Sequence, residues 1–143
     1  MIKMILKVTD NYYISKSKDE LERILRRVTG NVFSGRIEKH GDFFGLRIWQ
    51  ITNQWITDDQ LRQEKEEVEG FLEGIQGQQP LEIKAGIIDD LPDLGEPEIV
   101  VERDPDGEYS IEIYKDQGSI FVLYFRCDIT VGYGDWSLHK YKL

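Results

Sequence analysis

His40 and His139 are the only imidazoles in the chain, and Cys127 is the only thiol. A histidine serves as a general base when a carboxylate orients it, and His40 has one nearby in Lys39-His40-Gly41-Asp42. The same spacing describes any surface histidine beside a turn aspartate, so it assigns no catalysis by itself. Cys127 ends an apolar run with no second cysteine and no zinc-type spacing, which suits an inert core thiol better than a nucleophile. Asp104-Pro105-Asp106-Gly107-Glu108 opens like a calcium loop. It lacks the further acid before the glycine and a correctly spaced bidentate glutamate, and a hairpin turn accounts for the same residues. Gly132-Tyr133-Gly134 is followed by no basic helix, so it is not a phosphate loop. The residues predict no catalytic group, no metal site and no cofactor.

The remaining chemistry is charge. Between Asp89 and Gln117 stand eleven acids against only Arg103 and Lys115, a balance of −9 that equals the formal charge of the whole chain. Acids on turns and solvent-facing strand positions keep any sheet soluble. Here they are confined to one segment, and the predicted outer face mixes them with Tyr114 and Tyr124, a residue type enriched at binding hot spots. The candidate partner-binding residues are Glu98, Glu102, Asp104, Asp106, Glu112, Tyr114 and Tyr124, approached through Asp89, Asp90 and Asp93.

These residues predict a small acidic binding or inhibitor protein that neutralises a basic protein partner, such as a toxin or nuclease. A concentrated negative field speeds encounter with a cationic surface, and tyrosines supply short-range affinity. Bacterial immunity proteins and viral inhibitors that imitate nucleic acid work by that physics. A competing reading is an enzyme or small-ligand binder with a helix–sheet cleft near His40, Asp42 or Trp49. A third is a structural subunit, a homodimer for instance, that associates through an apolar strand face.

A pI near 4.7 argues against direct nucleic-acid binding, which needs clustered Lys and Arg. Arg23, Arg26 and Arg27 sit among acids on a predicted helix and suit its C-terminal dipole. No apolar run is long enough to span a bilayer, and Met1 to Val8 lacks the pattern of a secretory leader. The lone cysteine and the absence of a glycosylation sequon favour a cytoplasmic location.

The elements that must hold these groups read as one α+β domain over residues 1–143. It is a mainly antiparallel, twisted β-sheet of about six to eight strands, ending in a C-terminal meander, with two α-helices packed on it. Strands are predicted at Ile2–Val8, Tyr12–Ile14, Asn31–Glu38, Phe43–Thr52 and Leu81–Ile88. Ser17-Lys18-Asp19-Glu20 reads as a capping box opening a helix along Leu21, Ile24, Leu25 and Val28, with Gly30 as a left-handed cap. Thr57-Asp58-Asp59-Gln60 reads as a second box, before the stripe Leu61, Val68, Phe71, Leu72 and Ile75. Trp55 is placed to staple that helix, to anchor an interface, or both.

Gly77 to Pro80 reads as a linker, and Asp89 to Pro97 as a proline-restricted loop. In the meander, bulged turns at Asp104–Gly107 and at Asp116-Gln117-Gly118 set the expected register. Ile99 then faces Ile113, Val101 faces Ile111, Ile113 faces Phe121 and Ile111 faces Leu123. That register puts Glu98, Glu102, Glu112, Tyr114, Ile120, Val122, Tyr124 and Arg126 together on the outer face. Trp136 to Leu143 is the predicted last strand.

Overall fold

A computed structural model describes residues 5–51 and 53–143. Ile2, Lys3 and Met4 of the first predicted strand, and Thr52 at the end of another, lie outside the described residues. The fold is α+β, with two α-helices and two antiparallel sheets of four and five strands among the described residues. The strands are thus divided between two sheets where the sequence pointed to one. The chain forms two compact units, Met1–Gln78 and Gln79–Leu143, and the boundary falls inside the predicted Gly77–Pro80 linker. No described helix is long and apolar enough to cross a membrane.

In the first unit β1 (Leu6–Thr9), β2 (Tyr12–Ser15), β3 (Phe33–His40) and β4 (Phe43–Gln50) lie in the order β1-β2-β4-β3. Side chains alternate along β4. Leu46 and Ile48 are buried with Tyr13, with Leu21, Ile24 and Val28 of α1 (Lys18–Val28), and with Val68 and Leu72 of α2 (Asp58–Glu73). Burying a Leu, Ile or Val side chain is worth about 1.5–3 kcal/mol, so this layer carries the unit.

Helix α2 begins with its capping box complete. The Thr57 hydroxyl accepts from the Gln60 amide at 3.2 Å, and the Gln60 side chain accepts from the Thr57 amide at 3.1 Å. Helix α1 does not use its box: Ser17 makes no side-chain cap bond. Ser15 takes over, its hydroxyl accepting from the Ser17 amide at 3.0 Å and donating to Glu20 at 3.2 Å. Gly30 likewise has no left-handed φ, and α1 ends at Thr29, in extended backbone. Trp55 is 93% exposed and staples nothing. Ile56, in the position just before the cap, packs against the core instead, as does Leu61 one turn on.

The second unit orders its strands β5-β9-β8-β7-β6, with β5 Glu82–Ile87, β6 Ile99–Arg103, β7 Tyr109–Asp116, β8 Ser119–Asp128 and β9 Tyr133–Lys142. The meander is as predicted, but two registers differ. The β6–β7 turn is one residue longer than expected, since Arg103 pairs with Ser110. A bulge between Val100 and Glu102 absorbs the extra residue, so Ile99 still meets Ile113 and Val100 still meets Glu112. Val101 therefore does not face Ile111; Glu102 does.

The β7–β8 turn is a two-residue turn, with Asp116 paired to Ser119. Gln117 and Gly118 both take left-handed backbone, φ 43 and 82, as a type I′ turn requires. With no bulge there, β8 slips by one residue and every side chain on it changes face. Ile113 meets Val122, and Ile111 meets Tyr124. The predicted outer face is therefore divided: Tyr114 and Glu112 lie on one side of the sheet, Tyr124 and Ile111 on the other.

Both apolar sides of β8 are covered or partly covered. Ile120 and Val122 are buried. On the opposite face Tyr114, Leu123, Trp136 and Leu138 form a cluster on which Leu94 packs. That contact draws the Asp89–Pro97 loop across the face, so chain without regular structure covers it. Neither helix does.

Candidate functional site

The pairings place one row of residues across four strands of the second unit: Tyr109 on β7 opposite Arg126, Arg126 opposite Asp135, and Asp135 opposite Ile87. Just beyond this row the chain turns three times. The 104–108 turn carries Asp104, Asp106 and Glu108, and β8 ends on Asp128 before its turn to β9. The 3-10 turn Ile88–Asp90 carries Asp89 and Asp90, and the Trp136 indole N–H pins it by donating to the Ile87 carbonyl at 2.8 Å. Antiparallel order thus brings seven carboxylates, counting Asp135, from four separate stretches to one end of the sheet.

A groove of about 960 Å³ opens beside them, lined by Tyr109, Tyr124 and Tyr133, with Glu108, Asp128 and Asp135 among its walls. Tyr109 and Tyr133 are 43% and 58% exposed. Tyr124 is half-buried, and its ring meets His139 edge-on at 4.9 Å between centroids. Burial raises the Tyr124 hydroxyl's pKa and lowers that of His139, so both are neutral groups at pH 7. The site offers aromatic faces and carboxylates together, which suits a cationic ligand.

The structure gathers some of the ten predicted residues and separates others. Asp89, Asp90, Asp104 and Asp106 lie at the acidic end. Glu98 begins the chain's path into β6 at the opposite end, where its amide donates to Ile113. Asp93 lies in the crossing loop, its carboxylate accepting from the Gly95 amide at 3.1 Å. Glu102 sits on the edge strand opposite Ile111.

Glu112 and Tyr114 do not present a free acid and a hot-spot ring. Arg103 donates to Glu112 at 3.1 Å and the Tyr114 hydroxyl donates to its other oxygen, while the Tyr114 ring is buried. Burial first, and then the Glu112 bond, push the Tyr114 hydroxyl's pKa up. The sequence reading of the site missed Glu108, Tyr109, Tyr133, Asp128 and Asp135. Their signal was the alignment of the 104–108 and 129–132 turns at one end of a meander, which the register had to supply.

In the first unit, the face of β4 opposite the core carries Gly45, Arg47 and Trp49. Arg36 lies beside Arg47, and Glu38 two residues on collects the neighbourhood. Arg36 donates to Glu38 at 3.1 and 3.2 Å, the Tyr12 hydroxyl donates at 3.2 Å, and Arg47 lies 3.7 Å away. His40 Nε2 stands 3.4 Å from the Tyr12 oxygen. Gly45 permits this, because a Cβ there would meet the Tyr12 hydroxyl at 2.1 Å. Burial pushes the Glu38 carboxyl up, but Arg47, Arg36 and Tyr12 outweigh it and hold its pKa below the usual range. His40 therefore lies on the strand face that carries Glu38, opposite Phe43, and the group its surroundings organise is Glu38. Among the described residues no cluster of His, Cys, Asp and Glu could hold a metal ion.

Comparison of the chain with protein-family models, with curated proteins and with solved structures found no match.

Proposed function

We propose that this is a binding protein for a basic protein partner, such as a toxin or nuclease held inactive in the cytoplasm, and that it docks through the acidic end of the five-stranded sheet. The observation that carries the reading is the convergence of Asp89, Asp90, Asp104, Asp106, Glu108, Asp128 and Asp135 beside the exposed rings of Tyr109 and Tyr133. Converging carboxylates reinforce one another's field and speed association with a cationic surface. Exposed tyrosines add contact area at low entropic cost.

The test uses an oligolysine peptide as a surrogate for the basic surface, with the isotope-labelled full chain. Amide shifts should concentrate at 104–108, 128–135 and 88–90, and affinity should fall steeply as salt rises. The triple replacement Asp104→Asn, Asp106→Asn and Glu108→Gln should weaken binding about tenfold or more, because phosphate-free charge pairing of this kind is field-driven. Shifts spread evenly over all acids, or an unaltered affinity in the triple variant, would remove the basis of the reading.

A second reading has its own observation. Leu81, Ile83 and Ile87 lie on or beside the edge strand β5 and are all exposed. An uncovered apolar edge is a template for pairing with another strand, and a homodimer would place two such edges together. Sedimentation of the free protein separates the two: a concentration-dependent dimer lost on Ile83→Lys favours this one.

A further inference from the structure

We propose that the cleft between the α1–β3 loop and α2 is a binding pocket for a guanidinium group, presented as an arginine side chain of a polypeptide. It lies in the first unit and stands independently of the acidic end of the second.

The pocket has a volume of about 280 Å³, and its walls include Asn31, Asn53, Trp55, Gln63, Glu64 and Glu67. Among the described residues its lining contains no lysine, arginine or histidine. Its polar groups are largely committed to one another. Asn53 donates to the Asn31 side-chain oxygen at 3.3 Å and accepts from the Trp55 amide at 3.0 Å. Gln63 donates to Glu67 at 3.4 Å. Glu64 reaches from α2 into the loop, where Oε1 accepts from the Asn31 amide at 2.9 Å. Its other oxygen, Oε2, is inaccessible to solvent and has no hydrogen-bond partner among the described residues.

A buried carboxylate oxygen without a donor is disfavoured, so this pocket calls for a donor and for positive charge. On the same helix Arg62 lies 2.5 Å from Asp59 and Lys65 lies 3.9 Å from Glu69. Glu64 pairs with no base among the described residues, although it alone reaches into the loop.

Two features select guanidinium over ammonium. A planar fork of donors suits a pocket whose walls hold both a carboxylate and an amide oxygen, here those of Glu64 and Asn31. Trp55, at the rim and 93% exposed, offers the ring type that best attracts a cation over its face. Gly30 belongs to the same device. A Cβ at that position would lie 2.2 Å from Glu64 Oε1, so glycine lets the carboxylate enter the loop.

The experiment titrates N-acetyl-L-argininamide into the labelled full chain and follows the Asn31 amide and the Trp55 indole N–H. Both signals should move together and saturate in the millimolar range. N-acetyl-L-citrullinamide, the neutral isostere, should bind at least about tenfold more weakly. Glu64→Gln keeps the acceptor for Asn31 but removes the charge, and Trp55→Ala removes the ring. Each should weaken binding by about tenfold.

Since Trp55 is exposed, its variant keeps the fold and decides the matter if Glu64→Gln does not fold. Equal shifts from the citrulline analogue, or no shift at Asn31 and Trp55 up to the solubility limit, would overturn the proposal. Tighter binding of the lysine analogue would overturn the guanidinium assignment, and tighter binding of free arginine would overturn a polypeptide source.

Discussion

Three glutamates in this protein have the same side chain and different chemistry, and the donors around each decide which. Glu38 is surrounded by Arg36, Arg47 and Tyr12, Glu112 by Arg103 and Tyr114, and Glu64, among the described residues, has the Asn31 amide alone. The first two are structural charges already spent within the fold. Glu38 makes a prediction at this scale. Its pKa lies below the ordinary carboxylate value, so the folded state binds its proton less readily than the unfolded chain. The stability it contributes is therefore complete above the unfolded value of about pH 4.3 and is lost as pH falls through the lower folded value. Glu38→Gln should lower stability by about 1 kcal/mol at neutral pH, a modest figure because Arg36 is largely solvated. Denaturant titrations over a pH series should show the variant losing less stability than the parent in that acid window. Parallel pH profiles would mean the cluster contributes nothing.

At the scale of elements, turns decided more than strands. The β7–β8 turn holds a non-glycine residue, Gln117, at φ 43, where asparagine is favoured. Gln117→Asn should raise stability by up to about 1 kcal/mol, read as a higher denaturant midpoint at unchanged slope. The same turn marks where reading the sequence stopped working. Hydrophobic periodicity located the strands, the two helices and the meander, because burial is a local demand written at every second or fourth residue. Register is set by the turn, and Asp116-Gln117-Gly118 satisfies a bulged loop and a two-residue loop alike. One wrong choice there joined Tyr114 to Tyr124 on paper and hid Tyr109 and Tyr133. The capping boxes teach the same lesson: Thr57 and Gln60 close theirs, whereas Ser17 yields to Ser15, a neighbour only the fold brings within reach. The two-sheet division and the Glu64 pocket were illegible because they join residues more than thirty apart, such as Asn31 and Glu64.

For the molecule as a whole, the charge is partitioned as sharply as the chain. Residues 79–143 hold fourteen acids and six bases, a net of −8, while residues 1–78 hold thirteen acids and twelve bases, a net of −1. Like charges that converge at one end of a sheet repel, and the folded state pays for holding them there. If that end exists to meet a cation, the repulsion is a sacrifice of stability, relieved when the partner arrives. Neutralising Asp104, Asp106 and Glu108 together should therefore raise the melting temperature at low ionic strength. The gain should shrink near physiological salt, where the screening length is about 8 Å. Thermal unfolding of parent and triple variant across a salt series measures this directly. A variant that is more stable at low salt yet weaker toward oligolysine would separate the two roles of the same carboxylates. A variant equally stable at every salt concentration would mean the acids are too well solvated to feel one another, and too dilute to steer anything.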